Sequence, residues 1–350
     1  MIYFDVTKAG KAGHRSGLTR VSVRLVEEFG PGVVPVVWDE GWRDLKRRAP
    51  VGLTQGDWIL TAELFSEEER PGFGEFLRAR PCRMAAMFHD AIPLRHPDIT
   101  WPQSVARHPS YMKLLAGFDR VWAVSEASRR DLSGFWRWQG VENTPSVEVI
   151  ALGSDFNGQP RITGRQSAPG SSFLCVGILE PRKNQLFLLE VCDRLWGEGL
   201  SFDLHLVGRV NPHFGGPIVA RIDVLRRVRP GLHYHEAADD AKVGALYAGA
   251  RASVFPTIAE GCGLPLLESL WMGVPCVGSD LPVLRENAGG GGCLTVAPGD
   301  TDAWVVALKR VLADETLNVR LGIEALTRPL PTWAEAARTL RAALEDGMQK

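Results

Sequence analysis

The sequence predicts two doubly wound α/β domains in tandem. Short apolar runs rich in β-forming residues alternate with longer stretches whose apolar residues recur at helical spacing. Such alternation is typical of parallel sheets covered by helices on both faces. A segment rich in Gly, Ser and Pro, residues 153–172, separates two sets of runs and is interpreted as a linker. With 350 residues, the chain is long enough for two domains that each bury a core.

The predicted strands fall into one set on each side of this linker. The first set comprises residues 1–6, 33–38, 58–62, 83–88, 120–125 and 146–152. The second set comprises residues 172–179, 202–208, 232–236, 252–256 and 274–279. Helices are predicted over residues 18–29, 184–199, 241–250 and 265–272. The chain ends in TWAEAARTLRAALEDGMQK, which is predicted to form an uncapped amphipathic helix.

Composition and charge narrow the class of protein. The formal net charge is −1, so the chain lacks the basic excess of a nucleic-acid-binding domain, and we expect no nucleic-acid partner. Its six cysteines are scattered, without C-x-x-C spacing or a zinc-like Cys/His cluster. We find no signal peptide and no apolar stretch long enough to span a membrane. These features predict a cytoplasmic protein with reduced thiols.

Ligands of open parallel sheets bind outside the carboxyl ends of the strands, so residues just after the strands are the candidates for a site. One such stretch is EGCGLPLLE. Gly261 and Gly263 would let the backbone approach a phosphate at the amino end of the helix 265–272. Glu260 could then accept hydrogen bonds from sugar hydroxyls, and Glu268 from a ribose diol. The alternative is a pair of glutamates without function, one in an exposed loop and one in an ion pair.

Basic and glycine-rich loops follow two other strands. In EPRKNQ, Arg182 and Lys183 lie where the next helix begins, and cations there oppose the helix dipole unless an anion is bound. A diphosphate would satisfy both, while a solvated basic turn is the alternative. Gly17 ends a glycine-rich loop after the first strand and would allow close backbone approach, although a plain flexible turn is equally compatible. Neither a P-loop nor a G-x-G-x-x-G motif is present.

Two further segments of the first domain carry candidate residues. His89 and Asp90 follow strand 83–88 in HDAIPLRHP, and we favour a substrate role over a histidine held by a backbone carbonyl. The segment WRDLKRRAP, residues 42–50, forms a small basic patch with a tryptophan that could touch an anionic membrane. The alternative for this patch is a solvated face.

Together these motifs resemble those of the retaining GT-B glycosyltransferases of family four, glycosyl transferases group 1, whose bacterial members build polysaccharides. The similar segments are SGLTRV, FHDAIPLRHP, VGILEPRKNQ and FPTIAEGCGLPLLESLWMGVPCVGSDLPVLRENAG, the last of which carries the E-x7-E signature. The resemblance extends over nearly the whole chain. It implies a GT-B fold of two Rossmann-like domains: an N-terminal acceptor domain over 1–153, joined by the C-terminal helix 332–350, and a donor domain over 154–331.

The resemblance also implies roles for individual residues. Glu260 would contact the donor sugar, His89 would contact a sugar hydroxyl near the reacting carbon, and Asp90 would assist deprotonation of the acceptor hydroxyl. Glu268 would bind the nucleotide ribose, and Glu286 matches a loop acid of unassigned role. The remaining donor-binding residues would contact the diphosphate through side chains or backbone N–H groups: Gly17, Arg182, Lys183, Gly261, Cys262, Gly263 and Leu264.

The reaction implied is transfer of a hexose, with retention, from a nucleotide-diphosphate sugar to a hydroxyl of a growing glycan or lipid-linked glycan. GDP-mannose is the first choice of donor, and neither a metal nor a further cofactor is expected. Two alternatives stay open at this point. One is a GT-B epimerase or hydrolase that acts on the free nucleotide sugar, and the other is a sugar-binding scaffold without catalysis. Peripheral contact with the inner face of a membrane is also compatible with this function.

Overall fold

A computed structural model describes residues 1–10, 17–164 and 170–347 of the chain. The chain divides into two compact units, Met1–Gly153 with Pro331–Lys350 and Ser154–Leu330. Each unit is built on a mainly or wholly parallel sheet, so the prediction of two doubly wound α/β domains is confirmed. Residues 11–16 of the glycine-rich loop and 165–169 of the predicted linker lie outside the described part of the chain.

The first unit has a seven-stranded sheet. Its strands are β1 (Ile2–Asp5), β2 (Val34–Trp38), β3 (Trp42–Asp44), β4 (Trp58–Thr61), β5 (Arg83–Phe88), β6 (Arg120–Ala123) and β7 (Val147–Val149). The helices among them are α1 (Gly17–Phe29), α2 (Phe73–Ala79), α3 (Ile92–Arg95), α4 (Pro102–Leu114) and α5 (Glu126–Trp138). The strand order is β3-β2-β1-β4-β5-β6-β7, so the order reverses between β1 and β4. All pairings are parallel except that of β2 with β3.

The second unit has a six-stranded, fully parallel sheet. Its strands are β8 (Ser172–Val176), β9 (Asp203–Val207), β10 (Leu232–His235), β11 (Ala252–Phe255), β12 (Cys276–Ser279) and β13 (Cys293–Val296). The helices are α6 (Gln185–Gly197), α7 (Gly216–Arg226), α8 (Asp240–Gly249), α9 (Leu264–Trp271), α10 (Pro282–Ala288), α11 (Thr301–Ala313) and α12 (Glu315–Thr327). The order β10-β9-β8-β11-β12-β13 is that of the Rossmann fold, and it reverses between β8 and β11.

Apolar side chains from both faces of each sheet form the two cores. In the second unit, buried residues of β8, β9 and β11 pack against the helices α6, α7 and α11, and Trp304 of α11 is fully buried. In the first unit, aromatic residues dominate the core around β2, β3 and α2. The cores fix the strands, and the strands fix the positions of the loops that follow their carboxyl ends.

The last helix, α13 (Trp333–Asp346), belongs to the first unit and packs against α1. The prediction that this helix is uncapped is wrong. Thr332 accepts a hydrogen bond from the Glu335 backbone N–H, and the Glu335 carboxylate accepts one from Thr332 in return, which is a capping box. Gly153 lies against the start of the helix, since a Cβ at that position would be 2.3 Å from the Trp333 nitrogen.

Candidate functional site

The candidate site of the second unit lies at the point where its strand order reverses. Arg182 and Lys183 follow β8 in a 3-10 turn, Pro181–Lys183, that leads into α6. Thr257 and Glu260 follow β11, the strand next to β8. Crevices at such reversals are the usual ligand sites of open α/β sheets, and the fold brings these two loops together there.

A single carboxylate connects the two loops. Glu260 Oε1 lies 2.5 Å from Lys183 Nζ, and its Oε2 lies 3.3 Å from an Arg182 guanidinium nitrogen. The Thr257 hydroxyl donates to Glu260 Oε1 over 2.7 Å. The Lys183 ammonium also lies 4.9 Å from the centre of the Phe255 ring. The predicted residues Arg182, Lys183 and Glu260 therefore form one cluster.

Burial disfavours the charged forms of the side chains in this cluster. The side chains of Glu260 and Lys183 are 7% and 10% exposed. Burial lowers the pKa of the Lys183 ammonium, and the adjacent Glu260 carboxylate offsets only part of that effect. Burial alone would raise the pKa of Glu260, but Lys183 and Arg182 outweigh it and hold that pKa below its ordinary value. The ion pair therefore depends on both partners being present.

A second carboxylate, which the sequence analysis did not single out, completes the cluster. Glu180 Oε1 lies 2.8 Å from an Arg182 guanidinium nitrogen, and its Oε2 accepts from the Asn211 side-chain amide over 3.1 Å. Glu180 and Glu260 thus supply anions to the two cations at the start of α6, so the expectation that these cations need a bound ligand anion is wrong. Glu180 stands two residues before Arg182 in EPRKNQ, whereas nothing local identifies Asn211.

The glycine-rich loop leads into α9 one residue earlier than predicted, with Gly263 as the residue before the helix. Gly263 has φ +81°, and a Cβ there would lie 2.6 Å from the Leu284 side chain, so glycine is required by the chain itself. Burial raises the pKa of the Cys262 thiol to about 12, which leaves its backbone as the polar part available for binding. The Cys262 carbonyl accepts from the Asn287 side-chain amide over 2.5 Å.

At the amino end of α9, Pro265 has no N–H group, and the Leu266 and Leu267 N–H groups donate to the Gly263 carbonyl over 3.0 and 3.4 Å. The backbone N–H groups of the predicted stretch Gly261–Leu264 lie at or just before this end. Glu268 lies in the second turn of α9 and is 5% exposed. Glu286 lies on α10 and is exposed. Ribose binding by Glu268 stays a prediction.

His89 and Asp90 follow β5 in the first unit, where both hold the local structure. His89 is 7% exposed, and its Nε2 lies 2.8 Å from the Ala62 carbonyl oxygen. Since a carbonyl can only accept, Nε2 carries the proton, and burial lowers the pKa of the ring, so its Nδ1 is an acceptor at neutral pH. One oxygen of Asp90 accepts from the Ile92 backbone N–H over 3.0 Å. The carbonyl contact weighed as the alternative for His89 is therefore present, and a substrate contact through Nδ1 stays a prediction.

Gly17 is the first residue of α1, also in the first unit. It is exposed, and among the residues that the structure describes a Cβ at that position would meet nothing within 4 Å. The packing of the described residues therefore gives no reason for a glycine here, and its predicted contact with the donor stays a prediction.

The patch formed by residues 42–50 differs from the prediction. Trp42 is 4% exposed and packs edge-on against Trp38 and Phe73, so it is a core residue and offers no ring to a membrane surface. It is buried because β3 turns back antiparallel along β2 and places Trp42 opposite Trp38. The basic residues of 46–48 remain exposed, as expected for a solvated face.

The described residues, 1–10, 17–164 and 170–347, contain neither a metal-ligating cluster nor a membrane-spanning helix. In that part of the chain, no three His, Cys, Asp or Glu side chains are placed to hold a metal ion. Asp300 and Asp302 form an Asp-x-Asp pattern, but Asp300 caps α11 through the Ala303 N–H, and Asp302 pairs with Arg194. No described helix is long and apolar enough to cross a membrane.

The match to a known protein family lies within the second unit. Residues 170–314 match the family described as Glycosyl transferases group 1. The serotype-specific mannosyltransferase WbdA of Escherichia coli is 28% identical over 246 residues, which cover 65% of this chain and 29% of WbdA. The O-antigen chain mannosyltransferase B of Escherichia coli is 34% identical over 255 residues, which cover 69% of this chain and 64% of that enzyme. The chain thus spans less than two thirds of the length of either relative.

Solved structures extend the likeness to the whole chain. The crystal structure of HepE from Anabaena, in complex with UDP and glucose, matches with a TM-score of 0.74 over 98% of this chain and 99% of that one. The sequence identity is 14%, so this match concerns the fold. Residues 170–314 therefore resemble the glycosyl transferases group 1 family, and the chain as a whole has the GT-B fold.

Proposed function

We propose that the chain is a retaining glycosyltransferase that moves a hexose from a nucleotide-diphosphate sugar to a hydroxyl of a growing glycan. Mannose is the first choice of sugar, because the two relatives described above are named mannosyltransferases, and GDP-mannose is the first choice of donor. HepE, which shares the fold, was crystallised with UDP and glucose.

The observation that carries this proposal is the buried cluster of Arg182, Lys183 and Glu260 at the strand-order reversal. Its two cations are matched by two carboxylates, so the unliganded cluster has no surplus positive charge. A diphosphate would compete with Glu180 for Arg182 and with Glu260 for Lys183. Glu260, released from Lys183, would then accept hydrogen bonds from hydroxyls of the donor sugar. Donor binding is thus an exchange of partners within a preformed cluster.

The same groups would stabilise the leaving diphosphate. As the bond between the anomeric carbon and the phosphate oxygen breaks, negative charge grows on that oxygen, where Arg182, Lys183 and the amino end of α9 supply fixed positive potential. The acceptor oxygen forms its bond to the anomeric carbon on the same face. Its proton passes to the departing phosphate oxygen, so no protein nucleophile is required. His89 Nδ1 would accept from a sugar hydroxyl, and a role for Asp90 in the proton transfer is part of the same proposal.

The donor is tested by thermal unfolding in the presence of GDP-, UDP-, dTDP- and ADP-sugars. A ligand at about 100 times its Kd stabilises the folded state by about 2.7 kcal/mol. For a domain of this size, that corresponds to a rise in Tm of about 5–10 °C. We expect one nucleotide class, GDP first, to give this shift. No shift with any of the four in the folded protein would contradict the proposed donor class.

A pair of arginine variants locates the binding site. Arg182→Ala should abolish the shift, because it removes the guanidinium that would grip the diphosphate in two places. Arg221→Ala is the matched control, since Arg221 lies on α7 of the same unit and pairs with Asp193. Equal loss of the shift in both variants would argue against the cluster as the donor site.

Product analysis tests the chemistry. Incubation of the enzyme with the selected donor and a mannose-terminated acceptor should give a product whose anomeric configuration equals that of the donor, as read by proton NMR. Turnover should persist in EDTA if the reaction is metal-independent. Release of free sugar or of an epimer without any acceptor dependence would favour the epimerase or hydrolase alternative.

A further inference from the structure

A cavity lies within the first unit, among residues that the proposed donor chemistry does not use. Its volume is about 280 Å³, slightly below the usual range for drug-sized ligands and suited to one sugar ring. Lys8 and Phe65 line one side, and Trp101, Arg107 and His108 of the α4 region line the other. Lys8 follows β1 and Phe65 follows β4, the two strands between which the order of this sheet reverses. The cavity therefore occupies the position at which open α/β sheets bind ligands.

A buried ionic network holds the inner wall of this cavity in place. Glu63 accepts hydrogen bonds from the backbone N–H groups of Lys8 and Ala9 over 2.7 and 2.8 Å. Arg70, which is 1% exposed, bridges Glu63 and Asp5 with distances of 2.7 Å to each carboxylate. The loops after β1 and β4 are thus tied together beneath the cavity surface. Such support pre-organises the groups that face a ligand.

Arg70 also fixes one of the aromatic rings of the wall. Its guanidinium carbon lies 3.8 Å from the centre of the Phe65 ring, a close cation–π contact. Phe65 in turn meets Tyr111 of α4 edge-on, with ring centres 5.9 Å apart. The two sides of the cavity are therefore joined at its base by rigid side chains, and the ring positions are set before any ligand arrives.

The charges around the cavity are balanced. Lys8 Nζ lies 2.9 Å from Glu69 Oε1, and an Arg107 guanidinium nitrogen lies 2.6 Å from Glu68 Oε2. Each cation thus has its own carboxylate, so the cavity offers acceptors as well as donors, and an anion could use only the donors. Paired charged groups can still donate to and accept from hydroxyls in fixed directions. This arrangement favours an uncharged, hydroxyl-rich ligand.

Two features of the α4 side suit a sugar ring. Trp101 is 41% exposed at the start of α4, where its indole can cover the apolar face of a pyranose. The Nε2 of His108 donates to the Asp90 carbonyl over 2.9 Å, which leaves Nδ1 as an acceptor in the neutral ring. His108 is 1% exposed, and among the described residues its Nδ1 has no hydrogen-bond partner. His108 is also a lining residue of the cavity, and a buried ring nitrogen without a donor is a group that a ligand hydroxyl could satisfy.

We infer that this cavity binds one uncharged hexopyranosyl unit of the acceptor glycan, with Trp101 against the sugar ring and Lys8, Glu69 and Arg107 on its hydroxyls. The sugar-binding part of the inference stands on the cavity alone. Its assignment to the acceptor rests on the proposed glycosyltransferase function. The two parts are therefore tested by separate experiments.

Fluorine NMR of protein labelled with 5-fluorotryptophan tests sugar binding directly. The Trp101 resonance is assigned with Trp101→Phe, and that of the matched control with Trp138→Phe, since Trp138 is 78% exposed on α5 of the same unit. Methyl α-D-mannopyranoside should move the Trp101 resonance saturably, with a Kd in the millimolar range, and leave Trp138 unchanged. Inorganic phosphate should move neither.

Three results of this titration would overturn the inference. One is a Trp101 resonance that none of the methyl mannoside, glucoside and galactoside moves. Another is an equal, unsaturated drift of Trp101 and Trp138, which indicates a solvent effect. The third is a saturable shift with phosphate alone, which would make the ligand an anion. None of these results depends on whether the protein transfers sugars.

Steady-state kinetics test the assignment to the acceptor. Trp101→Ala should raise the KM for the acceptor glycan about tenfold, the effect expected for losing one aromatic contact. The KM for the donor and the acceptor-independent hydrolysis of the donor should stay unchanged, and Trp138→Ala should alter none of these. If parent protein turns over no donor, the proposed function fails while the NMR result stands. If it turns over donor but Trp101→Ala leaves the acceptor KM unchanged, the acceptor assignment fails.

Discussion

Replacing Glu260 by glutamine tests what stabilises the cluster of Arg182, Lys183 and Glu260, called the donor cluster below. The substitution keeps the size of the side chain but removes the charge that faces Lys183 at 2.5 Å and Arg182 at 3.3 Å. Lys183 would then keep its ammonium in a site where its side chain is 10% exposed and no longer has a neighbouring carboxylate at ion-pair distance. Breaking a buried ion pair from one side leaves an uncompensated buried charge, which is far more costly than losing a surface pair.

The expected loss is about 3 kcal/mol in the free energy of unfolding of the second unit, at the lower end of the range for buried pairs. For a domain of this size, that loss lowers Tm by about 6–12 °C. Urea unfolding, followed by circular dichroism, measures it as a lower midpoint with an unchanged slope. Glu198→Gln is the matched control, because Glu198 also pairs with two cations, Arg194 and Lys309, but on the surface of the unit. Its effect should be too small to resolve.

The stability of the variant should also depend more strongly on alkaline pH than that of the parent. Without Glu260, the pKa of Lys183 falls further below its ordinary value, because the carboxylate no longer offsets the effect of burial. The folded state then binds fewer protons than the unfolded state, so stability rises as the pH increases toward the ordinary lysine pKa. The gap between Glu260→Gln and the parent should therefore narrow between neutral pH and about pH 9.5.

Two results would refute this reasoning. If the free energy of unfolding of Glu260→Gln lies within about 1 kcal/mol of that of the parent, the Lys183–Glu260 pair does not stabilise the fold as much as its burial indicates. If Glu198→Gln is destabilised as much as Glu260→Gln, burial is not what decides the effect. A gap that widens with rising pH would show that Lys183 is not the uncompensated charge.

Three further predictions concern other parts of the chain. Burial and two neighbouring histidines lower the pKa of His205 to about 4. Between about pH 6.5 and that value only the unfolded chain takes up the proton, so the stability of the fold should decrease as the pH falls through this range. His205→Gln should flatten this part of a Tm–pH profile. Gly153→Ala should lower the free energy of unfolding in urea by about 1–3 kcal/mol, because the added Cβ would overlap the backbone at the start of α13. The control is Gly134→Ala inside α5, whose added Cβ meets nothing within 4 Å among the described residues and which should stabilise the fold by about 0.5–1 kcal/mol. Trp42→Ala should cost about 3–5 kcal/mol as a core truncation, while Trp138→Ala should cost less than about 0.5 kcal/mol; equal effects would contradict the burial of Trp42.

Much of the fold could be predicted because parallel sheets leave a strong pattern in the chain. Strands buried on both faces are continuous apolar runs, and the helices between them show their own period. The strand β3 was missed because it reads only WRD, and β13 because its four residues, CLTV, directly follow a run of glycines. The cap of α13 could have been found, since Thr332 and Glu335 show the spacing of a capping box.

The donor cluster could be predicted only in part. Each loop was identified because it follows a strand, but the pairing of Lys183 with Glu260 joins residues 77 positions apart, which no local pattern reveals. The hydrogen bond from Thr257 to Glu260 spans only three residues, but no sequence pattern identifies it either. The carboxylate that binds Arg182 lies only two residues away, yet an acidic residue beside a basic one is ordinary on any surface.

The ionic network beneath the cavity of the first unit was not predicted at all. Asp5 and Glu63 follow apolar runs, and Arg70 closes the charged stretch SEEER, and for all three a solvated side chain is the usual expectation. Their burial follows from the strand order, which places β1 beside β4 although more than fifty residues separate them. A partial signal was the aspartate that closes the apolar start of the chain, MIYFD.

The central claim is that a nucleotide-sugar diphosphate binds at the cluster of Arg182, Lys183 and Glu260 beside the amino end of α9. A crystal structure of the protein with GDP or with the nucleotide selected by thermal shift measures this directly. We predict phosphate oxygens within hydrogen-bond distance of Arg182, Lys183 and backbone N–H groups of residues 261–264, with the Lys183–Glu260 contact lengthened. A nucleotide bound elsewhere, with that ion pair intact, would contradict the claim.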